Sequence, residues 1–292
     1  MESLMGQGRI AIDMIVDQDS FIENDVPNFS MPLDDYGPGA VVGSAKLAGK
    51  VCTVISNDGM TYNPRFPVVY AGIIGMEEGY KMAMAVYCSI EADANKPLAD
   101  KRPLILLVDT PGNGPGKVEE IVGMNKATGA YQLALAEARK AGHPVLALVI
   151  GRAISGAFLC HGLQADRILS LDSKFGTMIH VMPLTSIARI TKQDIDRLAE
   201  LAKTNPVFAA GPEFFYRLGG VEEIISEISE MRDVVIRQVN EIYTLKASNQ
   251  SEQLGPWGRG ELGATRGGRA VRKNVIGIMQ TQFDQVVDAY LQ

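Results

Sequence analysis

The chain has 292 residues, 46% hydrophobic and 21% charged, with a formal net charge of −6. That balance belongs to an ordinary folded protein and excludes wholesale disorder. The negative charge speaks against a nucleic-acid binder, whose affinity rests on neutralised phosphates.

Residues 1–40 show no sustained periodicity, and NDVPNFSMPLDDYGPG is rich in Pro, Asp, Asn and Gly. This predicts an extended N-terminal arm, either a surface loop or a strap around a partner subunit. MESLMGQGRIAIDMIVDQDSF has no basic stretch leading into an apolar one, so no signal peptide is expected. A single domain is predicted over 41–292. AVVGSAKLAGKVCTVISND predicts two strands around a turn, and FPVVYAGIIG a third. EEGYKMAMAVYCSIEADAN has helical spacing, with Met82, Val86 and Ile90 on one face. PLILLVD, residues 103–109, is almost wholly apolar and predicts a strand buried on both faces, ending in TPGNGPG. Residues 118–140 predict a helix, HPVLALVIG a second buried strand, and a short helix opens near Ser155. ADRILSLDS is the next strand. Alternating strands and helices predict parallel crossover units of an α/β fold.

Residues 184–246 are read as mostly helical, with an apolar face available for a subunit contact. LGPWGRGELGATRGGRAVRKN (254–274) breaks the pattern. It is read as a flexible connection, or as a basic loop in which Arg259, Arg266, Arg269 and Arg272 meet a phosphate or an acidic partner. Gly258, Gly260 and Gly263 match G-x-G-x-x-G, but no strand precedes them, so no dinucleotide fingerprint is assigned. VIGIMQTQFDQVVDAYL predicts a closing helix. No apolar run reaches the roughly 18–20 residues of a membrane span. Cys52, Cys88 and Cys160 lie far apart with no Cys-x-x-Cys spacing. Neither a disulfide framework nor a metal site is expected, and a reducing cytoplasm is the expected location.

Two turns carry the chemical interest. TPGNGPG and GRAISGAF each follow a buried strand, and the second also opens a helix. Small residues let a ligand approach the main chain. The free N–H groups of a helix start attract anions. Taken alone, TPGNGPG is an ordinary strand-to-helix turn. Two such turns after neighbouring strands can aim two N–H donors at one oxygen, the geometry that stabilises an oxyanion or enolate. The candidates are Gly112 or Asn113 in the first turn and Ser155, Gly156 and Ala157 in the second. His161 is expected to be a packed or capping residue, and His143, before Pro144, to be solvent-exposed. Cys160 is expected to be a buried small hydrophobe. His180 lies on the side where the turns open; it could donate a proton, bind a carboxylate, or be structural.

PVLALVIGRAISGAFLCHGLQADRILSLDSKFGT resembles the oxyanion-hole region of the crotonase superfamily. There a strand ends at a glycine, a Gly-rich turn opens a helix, and an Asp introduces the next strand. With LLVDTPGNGPG it is similar to the alpha-type carboxyltransferase subunits of acetyl-CoA carboxylase, which pair a TPG turn with a Gly-Ser-Gly-Gly turn. Over roughly residues 40–290 it most resembles the gamma-subunit family of biotin-independent malonate decarboxylases. The resemblance implies a crotonase-like (ClpP/crotonase) α/β fold of stacked ββα units with peripheral helices. It implies one half of a malonyl-thioester decarboxylase, paired with a beta-type subunit. The substrate would be malonyl on an acyl carrier protein, held through a coenzyme-A-derived prosthetic group, or malonyl-CoA; the products would be the acetyl thioester and CO2. No cofactor is expected on this chain itself.

The resemblance places Gly112 and Asn113 at the first oxyanion donor and Gly156 at the second. Leu159 stands where the superfamily's hydratases carry a glutamate. A leucine cannot move protons, so enoyl hydration is disfavoured. Ala153-Ile154 replaces the Gly-Gly of carboxyltransferases and leaves less room for a biotin ring. By analogy, the partner would hold the thioester, the hole here would orient the departing carboxylate, and His180 or a water would protonate the carbanion.

Two other readings stay open. GRAISGAFL and MIHVMP also resemble the proteolytic subunit of Clp protease, with Ser155 activated by His180. The long helical region and the Gly/Arg segment are not explained by that family. Alternatively, the chain is a non-catalytic scaffold whose partner holds the whole site.

Overall fold

The computed structural model describes residues 3–29, 36–203 and 210–291. In chain order it contains helix α1 (Gly8–Ile15), strands β1 (Ile22–Glu23), β2 (Ala40–Leu47) and β3 (Lys50–Asn57), and helix α2 (Met76–Ala92). Strand β4 (Leu104–Thr110), helices α3 (Lys117–Val122) and α4 (Met124–Lys140), strand β5 (Val145–Ile154) and helix α5 (Ser155–Cys160) form the middle of the chain. Strands β6 (Arg167–Leu171) and β7 (Met178–His180), helices α6 (Leu184–Thr191), α7 (Ile195–Ala202) and α8 (Pro212–Arg217), and strand β8 (Glu223–Ile225) follow. Helices α9 (Met231–Ala247), α10 (Gly255–Thr265), α11 (Arg272–Asp284) and α12 (Val287–Tyr290) close it.

The strands form one sheet in the order β1-β2-β3-β4-β5-β6-β8. The β1-β2-β3 edge is antiparallel, and everything from β3 to β8 is parallel. All seven residues of β4 are buried. Its side chains alternate between two cores, as a strand covered on both faces must. Leu104, Leu106 and Val108 face α2 and α4, whereas Ile105 and Leu107 face α1 and α9. Asp166, at the start of β6, is a pin rather than a reactive group. It accepts from Val145 N at 2.9 Å and pairs with Lys246 at 3.0 Å.

Several sequence expectations need amending. Residues 66–75 do not make a strand; the segment holds only the isolated bridges of Tyr70 with Tyr62 and of Ile74 with Asn113. The span 118–140 is helical but broken at Gly123, whose φ of 114° ends α3 before α4 begins. The N-terminal region is not wholly an extended arm. Leu4, Ala11, Ile12 and Ile15 are buried in the second core, while residues 30–35 of the proposed arm lie outside the described ones. Among the described residues of the span 184–246 there is one short strand, β8, which extends the sheet beyond β6. His143 is fully buried rather than exposed. Its Nδ1 pairs with Arg102 O at 2.9 Å, and burial lowers its pKa.

The Gly/Arg-rich stretch is neither flexible nor a ligand loop. It forms α10 and a tight knuckle against α8. At Gly263 a Cβ would stand 2.1 Å from Leu218 O, so the helices can approach this closely only at a glycine. The arginines are taken up by main-chain carbonyls and one carboxylate. Arg259, nearly buried, donates to Leu163 O and Ala165 O. Arg266 donates to Tyr216, Val221 and Glu222 carbonyls at 2.7–2.9 Å, Arg269 to Leu218 O at 2.8 Å, and Arg272 pairs with Glu261. Beyond the knuckle, α11 and α12 bury no residue, and Val275, Met279, Phe283, Val286 and Tyr290 are exposed. Among the described residues no helix is long and apolar enough to cross a membrane.

Arg259→Ala would leave two carbonyls without these donors, the buried one of Ala165 and the half-buried one of Leu163. It should lower unfolding free energy by about 3 kcal/mol, measured by denaturant titration, with secondary structure retained at low denaturant.

Candidate functional site

Strands β4 and β5 run in register up to Val108↔Val149, and the next pair is Thr110↔Ala153. Asp109 alone therefore faces Ile150, Gly151 and Arg152, and β5 bulges. Asp109 is fully buried, and its carboxylate fills the bulge. Oδ1 accepts from Arg152 N and Arg152 Nε, both at 2.8 Å. Oδ2 accepts from Arg152 Nη2 at 3.1 Å and from Gly6 N at 2.5 Å. Gly151 has no room for a side chain, because a Cβ there would sit 2.5 Å from Asp109 Oδ1. Asn57 brackets the same residue: its Oδ1 accepts from Asp109 N at 3.0 Å, and its Nδ2 donates to Asp109 O and, at 3.0 Å, to Gly72 O. Arg152 Nη2 also donates to Ala71 O at 2.9 Å. The one signal of this network in the sequence is an acid ending an otherwise apolar, doubly buried strand, a position that demands a partner.

Three residues beyond Asp109 comes the first turn. Gly112 has φ of 147°. Ile74 N donates to Gly112 O at 3.1 Å, and Gly114 N donates to Ile74 O at 2.9 Å. Gly112 N donates to Thr110 Oγ1 at 3.3 Å. Of the two first-turn candidates, Asn113 is the one whose N–H has no hydrogen-bond partner among the described residues.

Three residues beyond Arg152 comes the second turn. Ile154 is still extended, and Ser155 takes φ of 56°, a left-handed conformation uncommon for a residue with a Cβ. It turns the chain from β5 into α5, leaving the first N–H groups of that helix without intrahelical acceptors. Ser155 is exposed, Gly156 half-buried and Ala157 fully buried. Ala157 can thus contribute its N–H but not its side chain. The two turns meet: a Cβ on Gly156 would lie 2.8 Å from Asn113 Oδ1.

His180 pairs with Ile154 in the β5–β7 register, beside the second turn. Its Nδ1 is buried with no hydrogen-bond partner, and burial lowers its pKa. It makes no hydrogen bond to Ser155 among the described residues, so the serine–histidine pair of the peptidase reading is not assembled. The imidazole instead helps wall a cavity of about 860 Å³ between β7, α6 and α8, lined mostly by apolar side chains such as Met178, Met182, Leu184 and Phe214. Around the turns, Val118, Ile121, Val122, Leu159, Val181 and Met182 expose large apolar side chains.

His161 belongs to the layer beneath. It is fully buried; its Nε2 meets Leu107 O at 2.9 Å and its Nδ1 meets Tyr131 OH at 2.9 Å. A carbonyl can only accept, so Nε2 carries the proton and Nδ1 accepts from the phenol. Burial pushes its pKa down to about 4. The ring ties α5 to β4 and α4 as a neutral cross-link, in keeping with the packed role expected of it. Cys160 is fully buried with its pKa raised to about 12 by burial, an inert thiol as expected. Among the described residues no group of three or more His, Cys, Asp or Glu could hold a metal ion.

Comparison with known proteins adds the following. The family described as malonate decarboxylase gamma subunit (MdcE) matches residues 70–283. The malonyl-S-ACP:biotin-protein carboxyltransferase MADD of Malonomonas rubra is 66% identical over 283 residues, 97% of each chain. A chain in the crystal structure of a Pseudomonas malonate decarboxylase hetero-tetramer in complex with coenzyme A is similar with a TM-score of 0.70 at 31% identity, covering 88% of this chain and 94% of that one. A chain of the Pseudomonas MdcD-MdcE hetero-dimer gives 0.64 at 29% identity, over 89% and 94%. The expected crotonase-like α/β fold is borne out.

His161 supplies a pH test of the layer under the turns. Its folded pKa of about 4 lies below the ordinary 6.5, so the unfolded chain binds the proton more tightly. The stability it contributes is complete above pH 6.5 and is lost as the pH falls towards 4. Unfolding free energy measured across that window should decline more steeply for the native chain than for His161→Gln.

Proposed function

The chain belongs to the malonate decarboxylase gamma-subunit family, and from that premise we propose that its two turns act on a malonyl thioester carried by an acyl carrier protein. It works in a heterodimer with a beta-type subunit and delivers the carboxyl group to biotin carried on a protein. The observation that carries this reading is the meeting of Asn113 and Gly156, two turns from adjacent parallel strands, in contact at the ends of β4 and β5.

The chemistry follows from the bond that breaks. When the carboxyl group leaves the malonyl α-carbon, the bonding electron pair passes into the thioester as an enolate. Its oxygen, and the oxygens of the departing carboxylate, need hydrogen-bond donors. A positioned donor of this kind contributes roughly 3–4 kcal/mol in the transition state. The Asn113 N–H and the first N–H groups of α5 hold the departing carboxylate, and the partner subunit holds the thioester. A proton then reaches the α-carbon and completes the acetyl thioester. His180, neutral at physiological pH because burial lowers its pKa, relays that proton: from the acceptor's ureido N–H as the nitrogen takes up the carboxyl group, or from water where CO2 is released.

Two observations support biotin as the acceptor. The Malonomonas relative, at 66% identity, bears the name of a biotin-protein carboxyltransferase. The apolar cavity beside His180 has the volume and lining of a small-molecule site, ample for a fused bicyclic ring. When bound, such a ring supplies a ureido nitrogen as nucleophile for the carboxyl carbon. The side chains of Ala153 and Ile154 are 0% and 8% exposed and take no room from the site. Neither lines the cavity, so the crowding of a biotin ring expected from Ala153-Ile154 does not arise there. Release of free CO2 is the second reading, favoured by the likeness to the Pseudomonas malonate decarboxylase chains.

The beta-type partner has two surfaces to meet. One is the apolar rim around the turns. The other is the α11–α12 arm, where exposed Val275, Met279 and Phe283 recur every four residues along α11 and exposed Val286 and Tyr290 follow. Three unpaired, buried cysteines suit a reducing compartment, and we place the complex in the cytoplasm.

The test is co-expression with the beta-type subunit and an assay of malonyl-ACP turnover, with and without a biotinylated carrier protein. Carrier-dependent loss of malonyl is expected; equal turnover without the carrier would establish the CO2-releasing reading instead. In the same assay Gly156→Val should lower turnover at least about 100-fold with folding and assembly intact. Ser155→Ala should remain active, and fluorophosphonate should not label Ser155. Unchanged turnover in Gly156→Val would leave the chain as a scaffold. Removing residues from 273 onward should abolish co-elution with the partner while leaving the melting temperature of the chain alone unchanged.

A further inference from the structure

We infer that Asp109 and Arg152 form a positioning pair for the reaction, setting the distance and orientation between the two donor turns. The inference rests on the function proposed above. Each member lies three residues before its turn: Asp109 before Gly112 and Asn113, Arg152 before Ser155 and Gly156. The pair is made where the β4–β5 register slips, so ladder hydrogen bonds no longer align the two strands there. The Asp109 carboxylate substitutes for them. It binds the Arg152 main chain and side chain together, with three contacts of 2.8–3.1 Å.

The arrangement is over-determined in a way that packing alone does not need. Asp109 is fixed from behind by the Asn57 amide, which grips both its N–H and its carbonyl. Arg152 is fixed from the side by Ala71 O. Ala71 has φ of 50° and Gly72 of 86°, and this irregular stretch leads directly to Ile74, which brackets the first turn through Gly112 and Gly114. Arg152 therefore reaches both turns: the second along its own strand, the first through the 71–74 loop. The planar fork of arginine matches a carboxylate with two parallel bonds, and a lysine ammonium cannot reproduce that geometry. The Gly6 N–H adds the N-terminal segment to the same carboxylate. Neither residue is placed to touch the substrate; they act through the main chain of the turns.

The experiment uses the heterodimer with malonyl-ACP and three variants, Arg152→Lys, Asp109→Asn and Gly151→Ala. The last leaves both charges in place but puts a Cβ 2.5 Å from Asp109 Oδ1, displacing the carboxylate. Turnover is expressed per assembled heterodimer, counted from the size-exclusion peak, so loss of folded protein does not masquerade as loss of rate. A displacement of about 1 Å in a positioned group costs on the order of 10–100-fold in rate. We expect kcat to fall by that factor with KM for malonyl-ACP nearly unchanged. A merely structural pair would lower yield and melting temperature but leave kcat per heterodimer at the native value, and that result would overturn the inference. Should Arg152→Lys and Asp109→Asn fail to assemble, Gly151→Ala decides alone by the same readout. A native heterodimer inert towards malonyl-ACP would instead overturn the proposed function, and this inference with it.

Discussion

A buried carboxylate at the end of a doubly covered strand is the constraint on which the site depends. Asp109 has no access to water, so an ionised side chain there must be paired and hydrogen-bonded. Arg152 meets that demand only because β5 bulges to bring its backbone N–H and guanidinium to one oxygen. The bulge in turn needs Gly151, since any side chain would occupy the carboxylate's place. Breaking such a buried pair by removing one partner typically costs about 3–5 kcal/mol, whereas the net contribution of the intact pair is small. The pair is therefore better understood as specifying one geometry than as adding stability.

What this geometry presents is main chain. The Asn113 N–H and the start of α5 are donors that no substitution of a surface side chain removes, but they exist only in particular backbone conformations. That explains why the stretch holding them is made of small residues, and why Ser155 tolerates a left-handed φ. On the proposed function, the most reactive-looking side chains have no part to play in the chemistry. His161 is a neutral cross-link between layers, Cys160 is an inert buried thiol, and Ser155 is a turn residue without a base. His180 is the exception. It is half-buried, it has an unsatisfied nitrogen, and it stands between the second turn and the cavity.

The Gly/Arg knuckle does for the periphery what Asp109 and Arg152 do for the centre. Arg266 and Arg269 hold the carbonyls around the end of α8, and Phe214 and Phe215 of α8, with Leu218 just beyond it, contribute to the cavity wall. The same knuckle sets the direction in which α11 leaves the body. A partner gripping the α11–α12 arm would thus pull on the element that walls the cavity. The cavity wall and the proposed subunit contact are thus built on one continuous piece of chain.

The sequence by itself determined the class of fold, the two buried central strands and the two turns. Composition and period carry that information locally: seven consecutive buried residues in β4, helical spacing in α2, small residues at Gly112 and Gly156. Resemblance in the same stretches carried the family. The sequence also misdirected where local pattern and tertiary use part company. FPVVYAGIIG has strand composition but lies against the first turn as a loop, and the glycines and arginines of 254–274 look mobile but are a close helix contact. His143 sits before a proline yet is buried. The tertiary structure alone reveals that Asn113 rather than Gly112 has the unclaimed N–H and that Asp109 and Arg152 belong together. The Gly112 N–H is claimed by the Thr110 hydroxyl two residues away, a matter of turn geometry, whereas Asp109 and Arg152 are 43 positions apart and meet within about 3 Å, the range at which hydrogen bonds form. No local periodicity encodes that distance; the β5 bulge creates it.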